Sequence, residues 1–169
     1  PTMKRIFAIA LVLVLLFTAS AIAEPFRVGM ECGYAPFNWS QVEATEDSVP
    51  IDGNQGYAGG YDVEIAKRIA EGLGRELVIV KLEWDGLIPA LNAGIIDAVI
   101  AGMSPTEERK LSVLFTDNYY NSDLVIVVRK DGAYANATQL SDFAGARITG
   151  QQNTFHYTVI DQIEGVQKM

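Results

Sequence analysis

One cysteine and one histidine in 169 residues remove two common ways of building a small protein. Cys32 has no partner in the chain, so no intrachain disulfide can form and packing must supply the stability. No neighbouring His or Lys would hold its thiol as a thiolate, and it is expected to be a small buried hydrophobe. His156 stands apart from any Cys or His cluster, so a His/Cys metal site is excluded and no cofactor is expected. Positive charge is scarce as well: 13 Lys and Arg face 21 Asp and Glu, for a net charge of −8. That balance argues against nucleic acid or an anionic membrane surface, both of which need clustered basic groups. A small ligand remains open. Heptads, repeats at a fixed period and low-complexity tracts are all missing.

Long apolar runs are missing too, save one. Ile6 to Phe17 is an unbroken apolar stretch of twelve, preceded by Lys4-Arg5 and followed by the small-x-small sequence Ala21-Ile22-Ala23. As a helix, twelve residues span about 18 Å, short of a hydrocarbon core of about 30 Å. Residues 1–23 therefore read as an export signal cleaved before Glu24, with Pro1 and Thr2 a remnant ahead of Met3. Cys32 lies nine residues past Ala23, too far to be a lipid-bearing first residue, so the mature chain is expected to be unanchored and periplasmic or extracellular. Because Lys4 and Arg5 leave with the signal and no acid does, its charge is about −10.

Beyond the signal, Phe26 to Met30 alternates as a strand and runs into a loop at Gly33. Residues 40–57 are polar, acidic and turn-rich, and read as a surface or binding loop. Asp62 is the expected cap of a helix whose Val63, Ala66, Ile69, Ala70 and Leu73 share one face, with Gly74 as its stop. Leu77 to Val80 is a buried strand, Asp85-Gly86 opens a short helix through Leu91, and Asp97 to Ala101 is the next strand. Strand, helix, strand, helix, strand with short connections predicts an α/β fold with a parallel sheet. Its ligand site should lie beyond the strands' carboxyl ends, at Glu31 to Phe37 and at Gly102 to Arg109, where Thr106 starts a further short helix. Leu124 to Val128 reads as a strong strand, after which Gln139–Phe143 (helix), Ala146–Thr149 (strand) and Thr154–Ile163 (helix) begin a second, smaller unit.

The segments RVGMECGYAPFNW (27–39), GGYDVEIAKRIAEGLG (59–74), WDGLIPALNAGIIDAVIAGMSPTEERK (84–110) and FTDNYYNSDLVIVVRK (115–130) resemble the extracellular solute-binding proteins of family 3. These are polar amino-acid receptors of ATP-driven importers. The resemblance implies a periplasmic-binding-protein type II clamshell. Residues 24–117 would form a complete or nearly complete first lobe, 118–128 a hinge-crossing strand region, and 129–169 a partial second lobe. It also implies that the chain is C-terminally truncated, and that the whole protein is a monomer whose partners are an amino acid and the permease subunits of an ABC importer.

Residue by residue, the resemblance gives Arg109 the ligand's α-carboxylate, which suits a planar guanidinium fork. Backbone N–H groups at Gly102 and Ser104, with the Ser104 hydroxyl, would add donors, while Tyr34 and Tyr61 would form aromatic walls. Glu31 sits where receptors for basic amino acids place an acid facing the side-chain amine, and arginine or lysine is the favoured ligand. From the second lobe, Asn153 and Thr154 align with a glycine-threonine turn that donates N–H groups. Asn replaces the usual glycine there, and it tolerates the same left-handed backbone. Phe37 and Trp39 are assigned to packing and His156 to the surface, although Phe155 and His156 could also line the cleft. Gly59-Gly60 lacks the spacing and the Lys of a phosphate loop. Competing readings are a dehydratase on the same fold, with Glu31 its one candidate acid or base, a sensory ectodomain, and a fragment without function.

The small residues at Ala21 and Ala23 place cleavage after Ala23. N-terminal sequencing of exported material should begin Glu24-Pro25; recovery of Met3 in a membrane fraction would contradict the reading.

Overall fold

The computed structural model describes residues 23–169, so the cleavable-signal reading of residues 1–23 lies almost wholly outside the described residues. A three-stranded parallel sheet organises the first part of the chain. β1 (Phe26–Met30) is central, with β6 (Leu77–Lys81) on one side and β7 (Ala98–Val99) on the other. Phe26 stands opposite Leu77 and Met30 opposite Lys81, and β1 pairs β7 through Val28 and Gly29. Parallel pairing requires crossover connections. α1 (Tyr61–Leu73) precedes β6 and α2 (Leu87–Asn92) precedes β7, as the alternation of elements predicts. Val28, Met30, Ile79, Val63, Ala66 and Leu87 are fully buried where these layers meet, and Cys32 joins the same core. On the other face Val80, Ala90 and Ile96 form a smaller cluster.

α1 ends as its sequence predicts, with Gly74 left-handed (φ 63°) and donating to the Glu71 carbonyl. Its start differs. Gly60, not Asp62, is the N-cap residue, and no side chain caps the helix. Instead the free N–H groups of Tyr61 and Asp62 donate to the carbonyls of Pro36 and Phe37 at 3.1 and 2.8 Å. Ile69 and Leu73, placed on the core face by periodicity, are 41% and 54% exposed, while Val63, Ala66 and Ala70 are buried and the half-buried Ile65 packs against the same core.

The polar stretch 40–57 is no free loop. With its flanks it forms a four-stranded antiparallel sheet in the order β2 (Gly33–Tyr34), β3 (Asn38–Gln41), β5 (Tyr57–Gly59) and β4 (Val49–Pro50). Strands this short and polar carry no apolar alternation for a sequence to reveal. Side chains replace that signal: Trp39 donates to Gln41, and Gln41 in turn donates to the Glu43 carbonyl. Ile51 bridges Ile79 and is buried, which ties this small sheet to the main one.

Released from capping, Asp62 is fully buried and organises what lies around it. Asn38 Nδ2 donates to one carboxylate oxygen at 2.7 Å, and the Tyr119 hydroxyl donates to the other at 2.7 Å. Asn38 Oδ1 accepts from the Cys32 N–H at 2.8 Å, and Tyr119 Oη accepts from the Gly102 N–H at 3.1 Å.

Beyond Lys110 the structure is sparser. Leu124–Val128, read as a strand, forms none: Val125 and Val127 are 79% and 91% exposed, and no described strand pairs with the segment. A β-rich sequence forms no strand when it meets no neighbouring ladder. The expected helix over 154–163 is a single turn, α4 (Phe155–Thr158), followed by a 3₁₀ turn at Val159–Gln162. The expected strand near 146–149 is β8 (Arg147–Ile148), which pairs in parallel with β9 (Gln167–Lys168), an element the sequence did not suggest. Phe143, Ala146 and Ile163 form a small core beneath this pair, and the exposed Asp142 carboxyl sits below the usual range because it accepts from the Thr138 and Gln139 N–H groups.

Burial raises the Asp62 pKa, and the bonds from Tyr119 and Asn38 only partly oppose it. The folded chain therefore holds more protons than the unfolded chain between the ordinary carboxylate value and the raised one. Stability from this group falls as pH rises through that interval. Asp62→Asn should flatten that part of the pH profile of urea unfolding. Asp62→Ala should cost about 1–3 kcal/mol for each of the two donors left unpaired, read as a lower urea midpoint at unchanged slope.

Candidate functional site

A cavity of about 750 Å³ opens beyond the carboxyl ends of β1 and β7 and is closed on its far side by residues from the 124–163 region. Six of the eight residues expected from the sequence line it: Glu31, Tyr34, Gly102, Ser104, Arg109 and Thr154. The other two do not. Tyr61 is 41% exposed and belongs to an aromatic cluster, stacked on Tyr119 and edge-on to Phe37 and Tyr120. Asn153 lies at the rim and makes the backbone contacts described below.

Arg109 sits on α3 (Glu107–Lys110), whose N-cap Thr106 accepts from the Arg109 N–H at 3.3 Å. Its guanidinium reaches in two directions, donating to the Ser104 carbonyl and to the Asn153 carbonyl, each at 2.9 Å. The guanidinium carbon lies 5.2 Å from the ring of Trp84, within cation–π range. Burial lowers the Arg109 pKa and Glu108 opposes the shift, but a guanidinium stays charged. A half-buried cation bonded only to carbonyls has unspent capacity for an anion.

The Glu31 carboxylate accepts from Gln151 Nε2 at 3.0 and 3.3 Å. Tyr34 stacks on Phe37 with ring centroids 5.0 Å apart and meets His156 edge-on at 6.5 Å. His156 is exposed, as the surface assignment expects, and together with Phe155 it also lines the cavity. Gly102 is left-handed (φ 60°), and a Cβ there would stand 3.2 Å from Tyr34 Cε1, so glycine is what lets Tyr34 lie against this strand end. The Gly102 N–H, expected to serve a ligand, donates here to Tyr119. Thr154 is buried and its hydroxyl donates to the Gln151 carbonyl at 2.7 Å, closing the turn on itself. Asn153 holds the left-handed conformation anticipated for it (φ 59°).

Sequence reasoning missed Trp84, Asp85, Tyr119 and Tyr120 as neighbours of the site. Trp84 Nε1 donates to the Asn153 carbonyl at 3.0 Å, and Asn153 Nδ2 donates to both oxygens of Asp85 at 3.0 and 3.1 Å. The Trp84-Asp85 pair was visible only as a helix start, and nothing local in the sequence joins it to residues 69 positions away. A second cavity, about 490 Å³, shares Tyr34 and His156 with the first and is bounded by Phe37, Tyr119 and Tyr120. Among the described residues no group of three or more His, Cys, Asp or Glu could hold a metal ion.

Comparison with known proteins gives a consistent set. Residues 26–154 match the family model of the bacterial extracellular solute-binding proteins, family 3. The L-arginine-binding protein of Pseudomonas aeruginosa is 39% identical over 116 residues, 69% of this chain and 40% of that one. The histidine-binding periplasmic protein of Salmonella typhimurium is 33% identical over 134 residues, 76% of this chain and 46% of that one. Among solved structures, holo ArgBP from T. maritima superposes with a TM-score of 0.69 at 36% identity, covering 86% of this chain and 58% of that one. An ancestral amino acid-binding protein, a precursor of cyclohexadienyl dehydratase, superposes with a TM-score of 0.72 at 29% identity, covering 87% and 60%. The chain thus spans about half the length of the curated relatives it matches.

Cys32, next to Glu31, is buried with its pKa pushed up to about 11 by burial, which Lys81 only partly offsets. At pH 8 the folded chain therefore carries almost no thiolate, the reactive species. Modification by a disulfide reagent should be slow in the native chain and fast in urea; equal rates would show that Cys32 is accessible.

Proposed function

The chain belongs to the bacterial extracellular solute-binding proteins, family 3, and from that premise we propose that it binds one free amino acid, arginine or lysine in preference, outside the cytoplasm and delivers it to an ABC-type permease. One observation carries the reading: Glu31 and Arg109, of opposite charge, line a single cavity together with the aromatic face of Tyr34. A zwitterion with a cationic side chain has a carboxylate for Arg109 and a second positive centre for Glu31 and the tyrosine ring. Relatives named as arginine- and histidine-binding proteins support the same ligand class. Ser104 lines the first side of the cavity beside Arg109, and Thr154 lines the second.

Binding is favoured over catalysis by what surrounds Glu31. Its hydrogen-bond partner is a carboxamide, which neither donates nor removes a proton in a general acid or base step. The sequence of residues 1–23, with its basic start and apolar run, supports delivery to the exported compartment.

Isothermal titration of the chain with arginine, lysine, glutamine and glutamate tests the proposal. Arg109→Ala should abolish binding of every amino acid, since losing one partner of a desolvated charged pair costs about 2–5 kcal/mol. Glu31→Gln keeps shape and removes charge, so it should weaken arginine and lysine by about 1–3 kcal/mol and leave glutamine nearly unchanged. Equal losses for arginine and glutamine would show that Glu31 does not read the side chain.

A further inference from the structure

The two charged groups assigned to the ligand are both occupied by the chain itself. Arg109 donates to the Asn153 carbonyl at 2.9 Å, and Glu31 accepts from the Gln151 carboxamide at 3.0 Å. A carbonyl oxygen at a guanidinium presents the same kind of acceptor as an α-carboxylate. A carboxamide NH₂ at a carboxylate presents the same kind of donor as a side-chain guanidinium or ammonium. The turn 151–153 thus satisfies, two residues apart, an acceptor at one end of the cavity and a donor at the other.

The turn does not rest there by those bonds alone. Trp84 Nε1 donates to the same Asn153 carbonyl at 3.0 Å, and Asp85 takes the Asn153 side-chain NH₂ on both oxygens. Trp84 also lies over the Arg109 guanidinium at 5.2 Å. Trp84 and Asp85 therefore both touch the turn, and Trp84 also touches Arg109, but neither is needed for the ligand chemistry described above. Within the turn, the left-handed Asn153 and the Thr154 hydroxyl on the Gln151 carbonyl fix the geometry that aims both groups at the first lobe.

We infer that Trp84 and Asp85 are positioning residues that seat the 151–153 turn on Arg109 and Glu31 as a built-in occupant of the ligand-reading groups, which an incoming amino acid must displace. The competition rests on the assignment of Glu31 and Arg109 to the ligand; the seating does not. All of these bonds are between exposed or half-exposed groups, so each is individually weak and the turn can leave. Apparent affinity then equals intrinsic affinity reduced by the fraction of chains whose turn is released.

The test uses the two tryptophans of the chain, Trp39 and Trp84. In a Trp39→Phe background, acrylamide quenching without ligand reports how far Trp84 is covered. Asp85→Ala and Gln151→Ala, at two separate anchors of the turn, should each raise the quenching constant severalfold. Gln151→Ala, which changes no charge, should also tighten arginine and glutamine binding by about two- to tenfold. Unchanged quenching in both variants would overturn the seating. Raised quenching with equal or weaker arginine binding would overturn the competition, because Gln151 would then be a ligand contact. If no version of the chain binds any amino acid, the functional reading of the cavity fails, and quenching alone still decides whether the turn is seated.

Discussion

The buried Asp62 carboxylate is the point on which the site-bearing end of the molecule depends. It sits in the first turn of α1, where the helix dipole favours a negative charge, yet burial pushes its pKa up. Two side chains from distant parts of the chain ease that tension in part by donating to it, Asn38 from the small antiparallel sheet and Tyr119 from the segment after α3. Each passes the constraint on. Asn38 holds the Cys32 N–H and so fixes the end of β1 beside Glu31; Tyr119 holds the Gly102 N–H and so fixes the end of β7 beside Ser104. Breaking the chain at either donor would free one wall of the cavity. A buried polar network of this kind raises specificity only when every member is satisfied, and no buried side-chain polar atom among the described residues lacks a partner.

The parallel sheet and its crossovers were legible because they rest on local signals. The apolar runs at Leu77–Val80 and Ala98–Ile100, the Gly74 stop and the Asp85-Gly86 start each follow from the physical preferences of a few adjacent residues. The strand ends that carry Glu31 and Gly102 could be placed for the same reason. What was not legible is non-local. Asp62 looks like a capping residue in any ten-residue window, and only the loop carbonyls of Pro36 and Phe37, brought in from elsewhere, release it for another role. The sheet across residues 33–59 is stitched by Trp39 and Gln41 side chains rather than by apolar alternation, so it passed for a loop. Leu124–Val128 failed in the opposite sense: its composition asks for a strand, but strands form in pairs, and the described chain offers it none.

Of the expected site residues, Glu31, Arg109 and Tyr34, named through the family resemblance, line the cavity, whereas Tyr61 lies outside its lining. Its position at the first residue of α1 turns it toward Tyr119 and Tyr120, two aromatics whose own proximity depends on the Asp62–Tyr119 bond. An aromatic cluster is thus assembled beside a buried carboxylate, a cause with no trace in the spacing of the tyrosines.

Three residues around the cavity adopt left-handed backbone: Cys32 (φ 55°), Gly102 (φ 60°) and Asn153 (φ 59°). Only one is glycine. For Cys32 the conformation costs about 1–2 kcal/mol, whereas asparagine visits it routinely; a side-chain hydrogen bond holds each, from the Cys32 N–H to Asn38 and from Asn153 to Asp85. The two differ in depth. Cys32 and Asn38 are buried, so their bond is worth most where water cannot compete, and the β1 end stays fixed. Asn153 and Asp85 are exposed, so water competes for both groups and the margin holding the turn is small. The left-handed turn is therefore firmly held at the end of β1 and only loosely held at Asn153.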